Sequence, residues 1–344
     1  MRARLYLTWA RSLLAPRARL LPGLGDRLGA RPRLAAAILV ALRSLPGRRL
    51  RRAAYVNVSR PLVDRMTAHL QVPVSGGLRI IADTSDFVGS TFAAAGMWEP
   101  HVTRPFQRLL SPGDVFVDVG AHIGYYTLLA SKLVGPEGHV YALEPTRTTY
   151  EALCANLALN DVANVTALCV AAGAEERRAL LGDAPPGHSA RASVRGPSGT
   201  DRAGEHGDAA TTSVDVRPVA SVVPQSERER VRLVKIDVEG YEAEVLLGLE
   251  ALFEMGTRPA LLVEIHADAV NEVAAYLVKL ATTYGLTALE LVEEEPFERA
   301  APAGPPREVS SLLASGLRDR PTMNLLVTAG DSVRDPPDVR RASR

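Results

Sequence analysis

Asp118-Val119-Gly120-Ala121-His122-Ile123-Gly124 is the stretch on which the fold of this 344-residue chain turns. Before it, Val115–Val119 is a short apolar run that stops at Gly120. After it, an amphipathic pattern runs from Ile123 to Val134 and ends at Gly135-Pro136, a helix stop. The segment therefore reads as a strand turning into a helix. In open parallel sheets, ligands bind outside the carboxyl ends of the strands, which is where this turn falls. Its glycines are spaced G-x-x-x-G. The dinucleotide fingerprint G-x-G-x-x-G uses its middle glycine to bring backbone up to a pyrophosphate. Here His122 occupies that place, which argues against NAD or FAD. A D-x-G-x-x-x-G turn suits a nucleoside without phosphate, with Gly120 admitting close approach of backbone.

Working outward, apolar runs and amphipathic stretches alternate. Strands are expected at Val115–Val119, His139–Leu143, Val165–Val170, Leu233–Val238, Ala260–Ile265, Leu286–Val292 and Met323–Thr328. Helices are expected near Ile123–Val134, Tyr150–Leu157, Tyr241–Met255 and Val270–Tyr284. Such alternation predicts an α/β, Rossmann-like domain with a seven-stranded, mostly parallel sheet flanked by helices. Four parts follow. Residues 1–55 form an arginine-rich helical or flexible extension, and 56–112 a lead-in packing on the core. Residues 113–330 form the Rossmann-like domain, with an irregular insertion at 173–213, and 331–344 a charged tail.

Two groups of residues carry the chemistry. Glu144 ends the second strand 26 residues after Asp118, the distance a strand–helix–strand unit needs. A carboxylate there can accept both ribose hydroxyls of a cofactor. Further on, Lys235-Ile236-Asp237-Val238-Glu239-Gly240 alternates ionisable and apolar residues. While extended, it sends Lys235, Asp237 and Glu239 to one side. Buried parallel strands are normally apolar on both faces, so three charges there must pair or serve a ligand. The next strand ends in Glu264-Ile265-His266. Asp118, Glu144, Asp237, Glu264 and His266 thus converge on one rim of the sheet, a candidate active site.

In order, these motifs resemble the FkbM-type methyltransferase family. The residues that carry the resemblance are Gly113 to Thr127, Glu144-Pro145, Asn156 and Asn160, Lys235 to Gly240, and Leu262 to His266. Upstream, Asp86 and Gly96-Met97-Trp98-Glu99-Pro100 resemble that family's lead-in. The resemblance implies a class I methyltransferase fold and S-adenosylmethionine as cofactor. It further implies O-methylation of a hydroxyl on a sugar, glycolipid or natural-product acceptor. On this reading Asp118, Gly120, Ala121, His122, Gly124, Glu144, Asp237 and Glu264 bind the cofactor. Asp118 would receive the methionine ammonium, and His122 would pack on the ligand's edge. Asp237 or Glu239 is the expected base, with His266 a further candidate and Lys235 setting the local electrostatics. Val219-Ala220 stands where the family often has Leu-Asp, and the arginine-rich start has no counterpart there. The rival readings are a cofactor-binding scaffold without turnover and a nicotinamide-dependent oxidoreductase.

Composition bounds the partners. With 47% hydrophobic and 23% charged residues the chain is that of a globular protein. Cys154 and Cys169 form no C-x-x-C pair and no Cys/His cluster, so no metal site and no disulfide is expected, as in a reducing cytoplasm. Residues 1–55 hold thirteen arginines against one acid, a net +12. The remainder holds 27 basic and 38 acidic residues, a net −11. A basic arm on an acidic body attracts anionic lipid, nucleic acid or an acidic protein. Aromatic residues interleave with the arginines only at Tyr6 and Trp9, too sparsely to favour sequence-specific nucleic-acid binding. The longest apolar run near the start, Leu34–Leu42, has nine residues where roughly 20 are needed to span a bilayer. An interfacial helix is the membrane contact the arm allows, with Leu34, Ile38 and Leu42 recurring every four residues. A cytoplasmic protein is expected, at most peripheral at the inner membrane surface, acting on a small-molecule or glycan acceptor.

Overall fold

Helices α1 (Leu24–Gly29), α2 (Pro32–Arg43) and α3 (Arg48–Ala54) begin the part of the chain that the computed structural model describes. That part comprises residues 24–182, 187, 189, 193–194, 211–266, 269–291, 307–316 and 322–329. Pro32 opens α2, where its missing N–H costs nothing, and Ala35, Leu39 and Leu42 make the buried stripe. Helix α3 runs on through a π-helical turn (Tyr55–Ser59) into α4 (Arg60–Val63). This continuous helical run crosses the domain boundary expected at residue 55. Strands β1 (His69–Val74) and β2 (Leu78–Asp83) then pair antiparallel, each burying alternate residues. In helix α5 (Phe87–Ala95), Asp86 caps the first turn by accepting from the N–H groups of Val88 and Gly89. Helix α6 (Pro100–Leu109) completes the lead-in.

The core follows the expected alternation. Its elements are β3 (Val115–Val119), α7 (Tyr125–Val134), β4 (His139–Leu143), α8 (Arg147–Leu159) and β5 (Val165–Leu168). Next come β6 (Ala171–Ala172), β7 (Arg177–Gly182), β8 (Ser193–Val194), β9 (Thr211–Arg217) and α9 (Val219–Val222). The chain then runs through β10 (Val231–Ile236), α10 (Glu242–Glu254), β11 (Ala260–His266) and α11 (Val270–Tyr284). Last are β12 (Leu286–Leu291), α12 (Val309–Gly316) and β13 (Thr322–Ala329). The main sheet has seven strands in the order β12-β13-β11-β10-β3-β4-β5, and β13 runs antiparallel to both of its neighbours. From β3 the chain moves outward through β4 and β5, then returns to β10 on the other side of β3. A crevice opens where the connections diverge, at the tips of β3 and β10.

Both faces of the sheet are covered. Val117, Val119, Val234 and Ile236 pack on one side with Val245 and Leu249 of α10 and Val273 and Leu277 of α11. Phe116 and Leu233 face the other side, with Leu128 of α7, Phe106 of α6 and Val72 and Ile80 of the β1–β2 hairpin. Asn156 of α8 and Asn160, which caps its C-terminal end, fasten that hairpin. Fully buried Asn156 accepts from Ile81 N–H at 2.8 Å and donates to the Ile123 carbonyl at 2.8 Å. Asn160 accepts from Arg79 N–H and donates to the Arg79 carbonyl. They serve the edge of β2 as a neighbouring strand would. Asn156→Ala leaves a buried donor and a buried acceptor unmet, at a cost of about 1–3 kcal/mol for such groups. Urea denaturation should show that loss with an unchanged m-value.

One expectation needs correction. The stretch at 173–213 is not wholly irregular, because β6, β9, β7 and β8 form a second sheet in that order. In β7, Ala179 and Leu181 are buried while Arg178 and Leu180 point outward, and the buried pair packs on Val214 and Val216. This alternation covers only six residues, too few to stand out from its polar surroundings. The expected tail after residue 330 lies outside the described residues.

Candidate active site

The turn after β3 is built by close backbone contacts. Gly120 and Ala121 both donate their N–H to the Leu143 carbonyl at 3.0 Å, clamping the turn on the end of β4. Gly120 has φ +78, and a Cβ there would lie 1.8 Å from the Asp237 carbonyl oxygen. His122 has φ +50, an uncommon conformation for a side-chain-bearing residue, and its N–H donates to Glu144 Oε2 at 2.9 Å. Gly124, at φ +89, packs against the Leu153 side chain.

A cleft enclosing about 590 Å³ out to its open mouth lies at this switch point. Of the expected site residues, Gly120, His122, Glu144, Asp237 and Glu239 line it. Leu143, Val170 and Val238 supply apolar wall. Across it, the His122 ring Nε2 pairs with Ser189 Oγ at 2.7 Å, and Ser189 N–H donates to Asp86 Oδ2. Burial holds the His122 imidazole below its ordinary pKa despite the nearby carboxylates of Glu144 and Asp86, so the ring is neutral. That suits the edge-packing role and not proton donation.

Glu144 is 6% exposed and already engaged. Its Oε1 accepts from Thr146 N–H at 2.9 Å and Thr149 Oγ1 at 2.7 Å, and its Oε2 from His122 N–H. A carboxylate offers about four lone-pair positions. In this arrangement one remains on Oε2, enough for a single ribose hydroxyl and not for the pair expected from the sequence.

Beneath the cleft lies a buried polar cluster. Parallel pairing sets Lys235 beside Asp118 in register. Lys235 Nζ donates to Asp237 Oδ2 at 2.8 Å and sits 5.1 Å above the Tyr126 ring. Burial pulls the lysine pKa down, but the charges of Asp237 and Asp118 outweigh it and hold the ammonium above its ordinary value. Burial likewise pushes Asp237 up, yet Lys235 and a hydrogen bond from Glu264 prevail, so Asp237 stays ionised below the usual range. Glu264 is driven well above that range by burial and by the charges of Asp237 and Glu99. It therefore carries the proton it donates to Asp237. Asp118 is 1% exposed. Its Oδ2 accepts from Thr127 Oγ1 at 2.6 Å, while Oδ1 has no partner among the described residues.

Three sequence readings change here. Lys235, Asp237 and Glu239 do not continue as one strand, because β10 stops at Ile236 and Glu239 has φ +51. Asp118, Ala121, Gly124, Lys235, Glu264 and His266 do not line the cleft wall. His266 lies between two carboxylates, 3.1 Å from Glu239 Oε2 and 2.7 Å from Glu242 Oε1. Burial alone would lower its pKa; the bonds to Glu239 and Glu242 push it up to about 11. His266 is thus an imidazolium at neutral pH and cannot accept a proton there. It fixes Glu239 instead.

Residues the sequence reading left without a role also belong to the site. Glu99 sits at φ +37 just before Pro100 and accepts from Tyr126 O–H at 3.1 Å, adding a carboxylate from the lead-in. Fully buried Glu242 orders the loop through Gly240 N–H and His266. Glu99-Pro100 marks a helix start, but nothing local shows that its carboxylate reaches the strand tips.

These groups fit a nucleoside cofactor. The apolar wall can cover a base, Glu144 Oε2 keeps one acceptor position for a ribose hydroxyl, and the N–H groups of Gly120, Ala121, His122 and Gly124, which could have cradled a phosphate, are already used. The sequence description of the methyltransferase FkbM domain matches residues 118–286. Among curated proteins, "Methyltransferase sdnD" of Sordaria araneosa is 32% identical over 162 residues, which is 40% of this chain and 62% of that protein. "Methyltransferase 1" of Beauveria bassiana is 29% identical over 199 residues, 54% of this chain and 73% of that one. Among solved structures, M. jannaschii TYW2 in complex with AdoMet aligns with a TM-score of 0.36 at 16% identity, over 76% of this chain and 84% of that one. The chain carries a methyltransferase FkbM domain over residues 118–286, and this matched domain holds the cleft and the strand tips described here.

Proposed function

We propose that the protein methylates a hydroxyl of a small-molecule or glycan acceptor, of the sugar, glycolipid or natural-product kind, with Asp237 as general base. The observation that carries this reading is the state of Asp237. It is an ionised carboxylate at the cleft, held by Lys235 on one side and by the protonated Glu264 on the other. When bound, S-adenosylmethionine supplies an electrophilic sulfonium methyl, and its transfer to an alcohol oxygen releases one proton.

The chain's own residues meet the remaining needs. Glu144 and the apolar wall hold the nucleoside end, and the Gly120 turn sets its depth. Holding the reactants in line supplies roughly 7–11 kcal/mol of the barrier. Carboxylates accept hydrogen bonds from hydroxyls, so Asp237 and Glu239 at the cleft orient an O–H donor and receive its proton. Lys235 limits how basic Asp237 becomes, and His266 holds the Glu239 carboxylate in place.

The test uses purified protein, labelled S-adenosylmethionine and fractions of a small-molecule extract, with products read by mass spectrometry as a gain of CH₂. Asp237→Asn should lower turnover about 10²–10⁴-fold, the usual worth of a positioned base. Cofactor affinity by calorimetry should stay within a few-fold. Full turnover in Asp237→Asn removes that residue as base and transfers the role to Glu239, tested in parallel by Glu239→Gln. Tight cofactor binding with no methylated product from any fraction would favour a scaffold without turnover.

A further inference from the structure

We propose that the helical run from Arg48 to Val63, with the exposed Phe87 beside it, is a docking face for an anionic membrane surface. The inference concerns where the protein sits and stands apart from the acceptor's identity.

It starts from charge. Between Arg27 and Arg65 the chain holds ten arginines and one acid, Asp64, and that acid is paired with Arg60 at 2.9 Å. Arg48, Arg52, Val56 and Arg60 recur at every fourth position. A regular α-helix has 3.6 residues per turn, so a four-residue spacing drifts around its axis. Here the π-helical turn Tyr55–Ser59 widens the helix and offsets part of that drift. Arg48, Arg52 and Val56 are exposed and Arg60 half-buried, while Ala54, Ser59, Leu62 and Val63 are buried against the fold.

Apolar side chains stand inside this basic field. Five large hydrophobic residues are exposed among the described residues, and three of them, Leu34 at 46%, Val56 at 53% and Phe87 at 49%, lie in this N-terminal layer. The Arg60 guanidinium lies 5.4 Å from the Phe87 ring centre and donates to Thr91 Oγ1. Phe87 meets Trp98 edge to face at 6.0 Å, and Trp98 precedes Glu99, whose carboxylate reaches the polar cluster at the strand tips. The docking face therefore adjoins the site.

Arginines alone would serve any polyanion. A half-exposed valine amid them gains nothing from a phosphodiester backbone, but it does gain from the boundary between lipid headgroups and acyl chains. No helix among the described residues is long and apolar enough to cross a membrane, so the contact is peripheral.

The experiment is co-sedimentation of the full-length protein with two vesicle types. One is phosphatidylcholine alone; the other contains roughly one-third phosphatidylglycerol, an anionic fraction that attracts basic surfaces. Retention should occur on the anionic vesicles only and fall as salt rises. Arg48→Glu with Arg52→Glu should weaken it at least tenfold. Val56→Ser, at an exposed position that leaves folding intact by circular dichroism, should weaken it about threefold, and Phe87→Ser by a similar factor. The proposal is overturned by no retention on anionic vesicles or by equal retention on both kinds. It is also overturned by retention insensitive to Val56→Ser and Phe87→Ser together, or by tight binding to a DNA duplex without vesicle retention.

Discussion

Gly120→Ala should abolish measurable cofactor binding, lowering affinity at least a hundredfold, or roughly 2.7 kcal/mol. The added Cβ would lie 1.8 Å from the Asp237 carbonyl oxygen and 2.9 Å from its carbon. Both are backbone atoms of the facing strand end and cannot swing aside. The residue also needs φ +78, which costs a side-chain-bearing residue about 1–3 kcal/mol. The turn must therefore move off the tip of β10, taking His122 and its contact with Glu144 along. Gly124→Ala is the matched control. It carries a similar left-handed strain at φ +89, but its Cβ meets only the Leu153 side-chain tip, at 2.4 Å. Calorimetric titration with S-adenosylmethionine should separate the two, with most binding kept in Gly124→Ala. Equal affinities for both would mean that the Gly120–Asp237 approach does not shape the cleft.

Lys235→Met should be the most destabilising of the conservative-volume changes, by about 3–5 kcal/mol at pH 7. That is the usual cost of removing one partner from a buried ion pair. Lys235 is 5% exposed and is the cation that Asp237 and Asp118 share. Asp237, held below the ordinary value of 3.8, contributes stability that is present above that value and lost as pH falls through its lowered pKa. Without the lysine, burial is opposed only by the Glu264 hydrogen bond and the His266 charge and Asp237 rises, so the variant's deficit should narrow as pH drops toward 4. Urea denaturation at pH 7 and pH 5 measures this. Adding Asp237→Asn to Lys235→Met should restore part of the loss, because the stranded charge is gone. A deficit that is independent of pH would place the effect in packing against Tyr126 instead.

Most strands were legible because they are short apolar runs with glycine, proline or an acid at one end or both. Val115–Val119, His139–Leu143 and Ala260–His266 fall within a residue of expectation. Glu144 was legible from its distance to Asp118, and Gly120 from its place at the strand end. What the sequence could not carry was register. Lys235 meets Asp118 only because β10 pairs with β3 at that offset, and His266 becomes a cation only because Glu239 and Glu242 turn back toward β11. The local pattern from Lys235 to Glu239 misled in the same way. Period-two alternation assumes an extended chain, and here the left-handed Glu239 and Gly240 bend it after Asp237. Glu99 escaped notice because its contact to Tyr126 spans 27 positions and depends on how α6 packs against α7.

The asparagine clasp on β2 bears on the order in which the polypeptide matures. Asn156 and Asn160 meet partners 75 and 81 positions earlier, so strand β2 leaves the ribosome long before the side chains that complete its edge. Until about residue 160 has been synthesised, the nascent hairpin presents an open edge beside unburied valines and isoleucines. Expression fragments cut between residues 113 and 160 should therefore aggregate, whereas those extending past α8 carry their own edge protection.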